Sequence, residues 1–251
     1  MELGLRDRVC LVTGSTGGIG LATARMLAGE GARVVTHGRG DPPGVGEALH
    51  VVGDFLEPDA PEAAVAEAGD VDVLVNNVGA AYIASFEQLS DAQWEEMWQL
   101  NVMSFVRAIR AVLPGMRERG GGAIVNVSSS AGKRPSAGMP NYSVTKAAVL
   151  SLSRLVADLY AKDGIRCNAV TPGPTATSAW LGEGGLADQQ AQRSGKTREE
   201  ALDSVAAGRP LGRLAEPDEI ASVIAFLCSE RASYVTGAAW SADGGTVPII
   251  I

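Results

Sequence analysis

Cysteine and histidine are scarce in this chain of 251 residues, with three of the first and two of the second. Cys10, Cys167 and Cys228 lie in apolar stretches without a CxxC or Cys/His spacing, so neither a disulfide framework nor a zinc site is expected. His37 and His50 are too isolated to form a metal cluster, and the site is expected to hold no metal. Cationic residues are outnumbered, 21 Lys and Arg against 29 Asp and Glu, for a net charge of −8. Such a surface repels nucleic acid and anionic membranes, which leaves a small molecule as the natural partner. No apolar run approaches the ~20 residues needed to cross a bilayer, and Met1 to Leu5 lacks a signal-peptide pattern. A cytoplasmic location is the expectation.

Apolar residues (46%) and glycine (31 residues) are abundant, and the length suits one large core. The expectation is a single domain over residues 1–251. Short apolar runs occur at Arg8–Thr13, Arg33–Thr36, Leu49–Val52, Val71–Val75, Ala123–Val127, Arg166–Val170 and Ala238–Ser241. Helical patterns separate most of them, the longest at Asp91–Arg119, with a bend expected at Pro114, and at Tyr142–Lys162. Strands that are apolar throughout belong in a parallel sheet covered on both faces, so the pattern predicts a doubly wound α/β fold with seven strands. The polar stretch Gly182–Arg209 falls within an excursion over about 178–210, a candidate lid above the sheet.

Thr13-Gly14-Ser15-Thr16-Gly17-Gly18-Ile19-Gly20 joins the first strand to the first helix, where backbone amides and a helix N-terminus can receive a pyrophosphate. Tyr142 and Lys146 stand four residues apart at the start of a helix, so they share a face. A free tyrosine ionises near pH ~10, and a neighbouring ammonium would stabilise its phenolate. Ser129 lies thirteen residues before Tyr142, beyond a strand, with Gly132 three residues on.

The glycine spacing resembles the TGxxxGxG loop of the short-chain dehydrogenase/reductase family. Asn76-Asn77-Val78-Gly79 is similar to the family's NNxG, Pro172 to Thr177 to its PGxxxT, and Ala242 to Gly245 to its C-terminal DGG. The resemblance spans nearly the whole chain and implies a Rossmann fold whose nicotinamide cofactor carries the hydride. It implies that Tyr142 is general acid in reduction and base in oxidation, that Ser129 hydrogen-bonds the reacting oxygen, and that Lys146 lowers the tyrosine pKa and binds the ribose. Asn101 would hold a relay water. For the cofactor it implies Gly14, Thr16, Gly18, Ile19, Gly20, Asn77, Gly79, Pro172, Gly173, Thr175 and Thr177, with Asp54 and Phe55 against adenine.

Gly38 ends the second strand, where NAD-selective enzymes place an acid, and Arg39 follows it. The pair points to NADP(H), with NAD(H) possible, because a guanidinium suits a 2′-phosphate. Gly17 stands where many NADP-dependent relatives carry a basic residue, and Asp41 lies near enough to offset Arg39, so the alternative is an NAD-dependent alcohol dehydrogenase. A non-catalytic dinucleotide sensor is a second alternative, against which the Asn101, Ser129, Tyr142, Lys146 set speaks. The substrate is bounded only as a small carbonyl or secondary alcohol. Met139, Trp180, Leu181 and Leu186 are candidates to line its pocket, and they would serve equally as ordinary packing. Between Gly40 and Ala48, two prolines and several glycines preclude the helix that the family places there. The apolar tail Val247–Ile251 suggests a homo-oligomer, a tetramer by resemblance.

Overall fold

The computed structural model describes residues 2–248. Seven parallel strands form one sheet: β1 (Val9–Val12), β2 (Arg33–Gly38), β3 (Leu49–Val52), β4 (Val73–Asn76), β5 (Gly122–Val127), β6 (Ile165–Pro172) and β7 (Ala239–Ala242), in the order β3-β2-β1-β4-β5-β6-β7. All seven apolar runs in the sequence are strands. In β1, β2, β4, β5 and β6 the side chains pack on both faces, which is why these runs read as continuous rather than alternating, whereas the edge strands β3 and β7 are largely exposed. One face is covered by α1 (Gly18–Gly29) and α10 (Pro217–Cys228), around Leu27, Ile220, Ile224 and Leu227. The other is covered by α2 (Ala60–Ala68), α4 (Ser104–Glu118) and α6 (Pro140–Tyr160), around Ile109, Val112, Met116 and Val156. The architecture is a Rossmann-type doubly wound α/β fold.

Strand order reverses between β1 and β4, so loops leaving their C-terminal ends diverge and open a crevice there. The three cysteines are buried and free. Burial pushes the thiols of Cys167 and Cys228 up to about 12, so they behave as small apolar side chains.

Three elements differ from, or sharpen, the reading of the sequence. The long helical stretch from Asp91 breaks at Gln99–Met103, a π-type turn between α3 (Asp91–Trp98) and α4, whereas Pro114 lies inside α4. Between β2 and β3 no helix forms among the described residues, and His50 pins the loop by bonding Thr36 Oγ1 (2.9 Å) and the Gly40 carbonyl (2.9 Å). The excursion contains α7 (Ser178–Leu181), α8 (Leu186–Ser194) and α9 (Arg198–Ala207), the last started by a Thr197/Glu200 capping box. Of the tail, Ile249–Ile251 lies outside the described residues.

Candidate active site

A cleft of about 1100 Å³ lies over the strand-order reversal. Its floor begins with the glycine loop after β1. Gly14 adopts a left-handed φ of +64°, and a Cβ on Gly20 would stand 2.3 Å from the Gly14 carbonyl, so the loop closes on α1 only without side chains there. Ser15 Oγ donates to the Val12 carbonyl at 2.8 Å and receives the His37 N–H at 2.9 Å. Asn77 Nδ2 donates to the carbonyls of Thr13 (3.1 Å) and Gly14 (2.9 Å), tying the β4 end to the loop. These bonds fix the shape of the loop, and because the Gly14 and Ser15 N–H groups are taken by His37, a pyrophosphate is left to the N–H groups at the start of α1.

The adenosine end is bounded by Thr16, Gly38, Arg39, Asp54 and Phe55. A Cβ on Gly38 would fall 2.3 Å from Thr16 Cγ2, so the Thr16 side chain fills the space that an acidic residue would need. Arg39 is exposed and pairs with Asp54 at 3.7 Å; Asp54 thus takes the role of opposing charge that the sequence suggested for Asp41. His37, absent from the cofactor residues expected from sequence, forms part of the wall. Its Nδ1 accepts the Gly14 N–H at 3.2 Å, and its ring lies 3.9 Å from Phe55. Burial lowers its pKa to about 4, so the ring is neutral at pH 7, as an acceptor must be.

At the other end of the cleft stand Ser129, Tyr142 and Lys146. Ser129 caps α5 (Ser130–Lys133): its Oγ accepts the Ala131 N–H at 3.1 Å, which leaves its own proton to give elsewhere. Ser128, its neighbour, spends its proton on the Lys146 carbonyl at 2.7 Å and so anchors α6. Lys146 is only 4% exposed, its Nζ donating to the Val127 carbonyl at 2.9 Å with two protons left over. Burial pulls this ammonium down from 10.5 to about 8. It sits 5.7 Å from the Tyr142 ring centroid. Burial raises the Tyr142 phenol above its ordinary value, and a hydrogen bond from Ser129 partly offsets this.

Gly14, Thr16, Gly18, Ile19, Arg39, Asp54, Phe55, Asn77, Gly79, Pro172, Gly173, Thr175 and Thr177 all line this cleft together with the three polar groups. Gly20 is buried beneath the loop. Asn101 is buried too, in the π-type turn, where its Oδ1 accepts the Ala80 N–H (3.0 Å) and its Nδ2 donates to the Ala80 carbonyl (3.0 Å) and Thr145 Oγ1 (3.2 Å). Its side chain thus supports the cleft wall from behind rather than lining it. Met139, Trp180 and Leu186 line the cleft. Leu181 does not; its side chain is exposed and its carbonyl accepts from Arg198.

A family model described as enoyl-(acyl carrier protein) reductase matches residues 14–247. The cis-4-hydroxycyclohexanecarboxylate dehydrogenase of Sinomonas cyclohexanicum is 40% identical over 256 residues, covering 95% of this chain and 96% of its own. The D-beta-hydroxybutyrate dehydrogenase of Cupriavidus necator is 31% identical over 258 residues, covering 97% and 99%. The solved structure of L-sorbose reductase from Gluconobacter frateurii, complexed with NADPH and L-sorbose, superposes with a TM-score of 0.91 at 36% identity, over 100% of both chains. Sheet order, glycine cradle and full-length similarity agree: the chain belongs to the short-chain dehydrogenase/reductase family and is a nicotinamide-dependent oxidoreductase.

Proposed function

We propose that the protein is an NADP(H)-dependent reductase or dehydrogenase that interconverts a small carbonyl compound and its secondary alcohol, with Tyr142 as the general acid and base. The carrying observation is that Ser129, Tyr142 and a buried, charged Lys146 line one cleft with the glycine cradle. When bound, the cofactor supplies the hydride. Ser129 donates a hydrogen bond to the substrate oxygen and orients it. Tyr142, held protonated by burial, donates its proton to that oxygen during reduction and recovers it during oxidation. The Lys146 ammonium favours the phenolate in the oxidative direction, and its two spare protons suit the hydroxyls of a ribose. Asn101 acts as a positioning residue for Ala80 at the cleft wall.

The preference for NADP(H) is supported by the missing side chain at Gly38 and by the exposed Arg39 guanidinium. The competing NAD-dependent reading draws on the Arg39–Asp54 pair, which engages that guanidinium. An exposed pair of this kind is worth only ~0–1 kcal/mol, so a phosphate outcompetes it. One domain carries both cofactor and substrate, and the working form is a cytoplasmic homo-oligomer, a tetramer.

The test is Tyr142→Phe, which removes only the phenolic oxygen. Folding and NADPH binding persist, and turnover of an accepted substrate falls at least ~100-fold, the usual worth of a positioned proton donor. Turnover within a few fold of wild type sinks the mechanism.

A further inference from the structure

The cleft contains a cation that the hydride chemistry does not use. Arg209 follows α9 and lines the cleft. Its Nη1 donates to the Val205 carbonyl at 2.6 Å, while its Nε is buried with no hydrogen-bond partner. Among the described residues no carboxylate forms an ion pair with it, although Asp and Glu outnumber Lys and Arg in the chain. Burial also holds the guanidinium below the usual arginine range. A partly desolvated charge is costly, and an anionic ligand beside the guanidinium in the cleft offsets that cost.

Its position is set by the C-terminal segment of the chain. The Leu211 N–H bonds the Gly244 carbonyl at 3.2 Å, Pro210 packs on Gly245, and Asp243 packs on Gly173. Arg209 is therefore tied to the segment after β7, whose Asp243 lies against Gly173, whereas Gly14 belongs to the loop after β1. Trp180 and Gln190, from α7 and α8, line the same cleft.

We propose that Arg209 receives a carboxylate of the substrate, so that the enzyme interconverts short hydroxy acids and oxo acids. This rests on the dehydrogenase reading above. In oxidation the carbinol carbon gives up a hydride, two electrons with one hydrogen, to the nicotinamide, and the hydroxyl proton goes to Tyr142. The carboxylate stays intact and only anchors the molecule. A cofactor phosphate is the other source of the same chemistry, and separate arms distinguish the two.

The experiment compares oxo acids of three to six carbons with the primary amide of each, and with neutral ketones, in wild type, Arg209→Ala and Arg209→Lys. NADPH affinity is read independently by cofactor fluorescence. Wild type favours acid over amide in kcat/KM. In Arg209→Ala that ratio falls ~10- to 100-fold, the loss of one charged hydrogen bond, and Arg209→Lys retains part of it. A wild-type ratio near one, equal losses for acid and amide, or weakened NADPH binding with the ratio intact overturns the proposal. Turnover of neutral ketones alone also overturns it and leaves the dehydrogenase reading standing. If nothing is turned over, that reading fails; tryptophan fluorescence titrated with the oxo acids then decides, an Arg209-dependent signal supporting the anion site and its absence refuting it.

Discussion

Lys146 shows what one residue of the site costs the fold. Its ammonium is buried with a single carbonyl partner, and its pKa falls from 10.5 to about 8. Between those values the unfolded chain binds more protons than the folded one, so stability rises with pH across that window and the penalty is complete below pH 8. A shift of that size corresponds to roughly 3 kcal/mol, and the lost bond to Val127 offsets about 1 kcal/mol of any gain on removal. Lys146→Met is therefore expected to stabilise the cofactor-free protein by roughly 2 kcal/mol at pH 7 while abolishing turnover. Urea unfolding at pH 7 and pH 9.5 checks this. The gain must shrink at the higher pH, and a less stable variant at pH 7 refutes the account.

The glycine loop is the element where sequence and structure agree most closely. Gly14 and Gly20 answer the close approach of α1 to the ends of β1 and β4, Gly18 a left-handed φ of +54° against Thr177, and such local steric demands are written directly in the residues. Gly17 is different. Its φ of −166° is open to any residue, and nothing lies within 4 Å of a Cβ placed there. Gly17→Arg is thus accommodated without strain and adds a second cation at the phosphate-binding loop. It is expected to raise the selectivity for NADPH over NADH by ~10-fold, while Arg39→Ala lowers it by a similar factor. Dissociation constants for both cofactors measure the effect, and equal changes for the two would remove the 2′-phosphate from this loop. Features that depend on distant partners were not legible. The turn at Gln99–Met103 lies in a helical pattern that continues across it, and the role of His37 depends on Gly14, 23 positions away, and on Phe55. Leu181 and Trp180 are neighbours of similar apolar character, and only the packing of α7 decides which one faces the cleft.

At the scale of the molecule the question is what covers the apolar surface that one chain leaves bare. The sequence points to the tail, of which Ile249–Ile251 lies outside the described residues, and among the described residues α6 carries such a surface. Val144, Leu155 and Leu159 are each about half exposed on it, at 50%, 54% and 50%. Spacings of eleven and four residues put all three on one side of a helix of 3.6 residues per turn, an apolar stripe interrupted by Ser151. The opposite side of α6 is already committed to the core through Val149 and Val156 and to the cleft through Tyr142 and Lys146. A stripe of this kind on a helix suits a twofold contact with the same helix of another chain, since an isologous interface pairs a surface with itself. Light scattering at micromolar protein is expected to give four times the 25.9 kDa chain mass, through this contact and a second one. Leu155→Glu combined with Leu159→Glu places charges in the stripe and is expected to reduce the mass to half or less. Because Tyr142 and Lys146 ride on the same helix, turnover should fall along with the mass. A wild-type monomer, or a double variant that keeps the full mass, removes α6 from the interface.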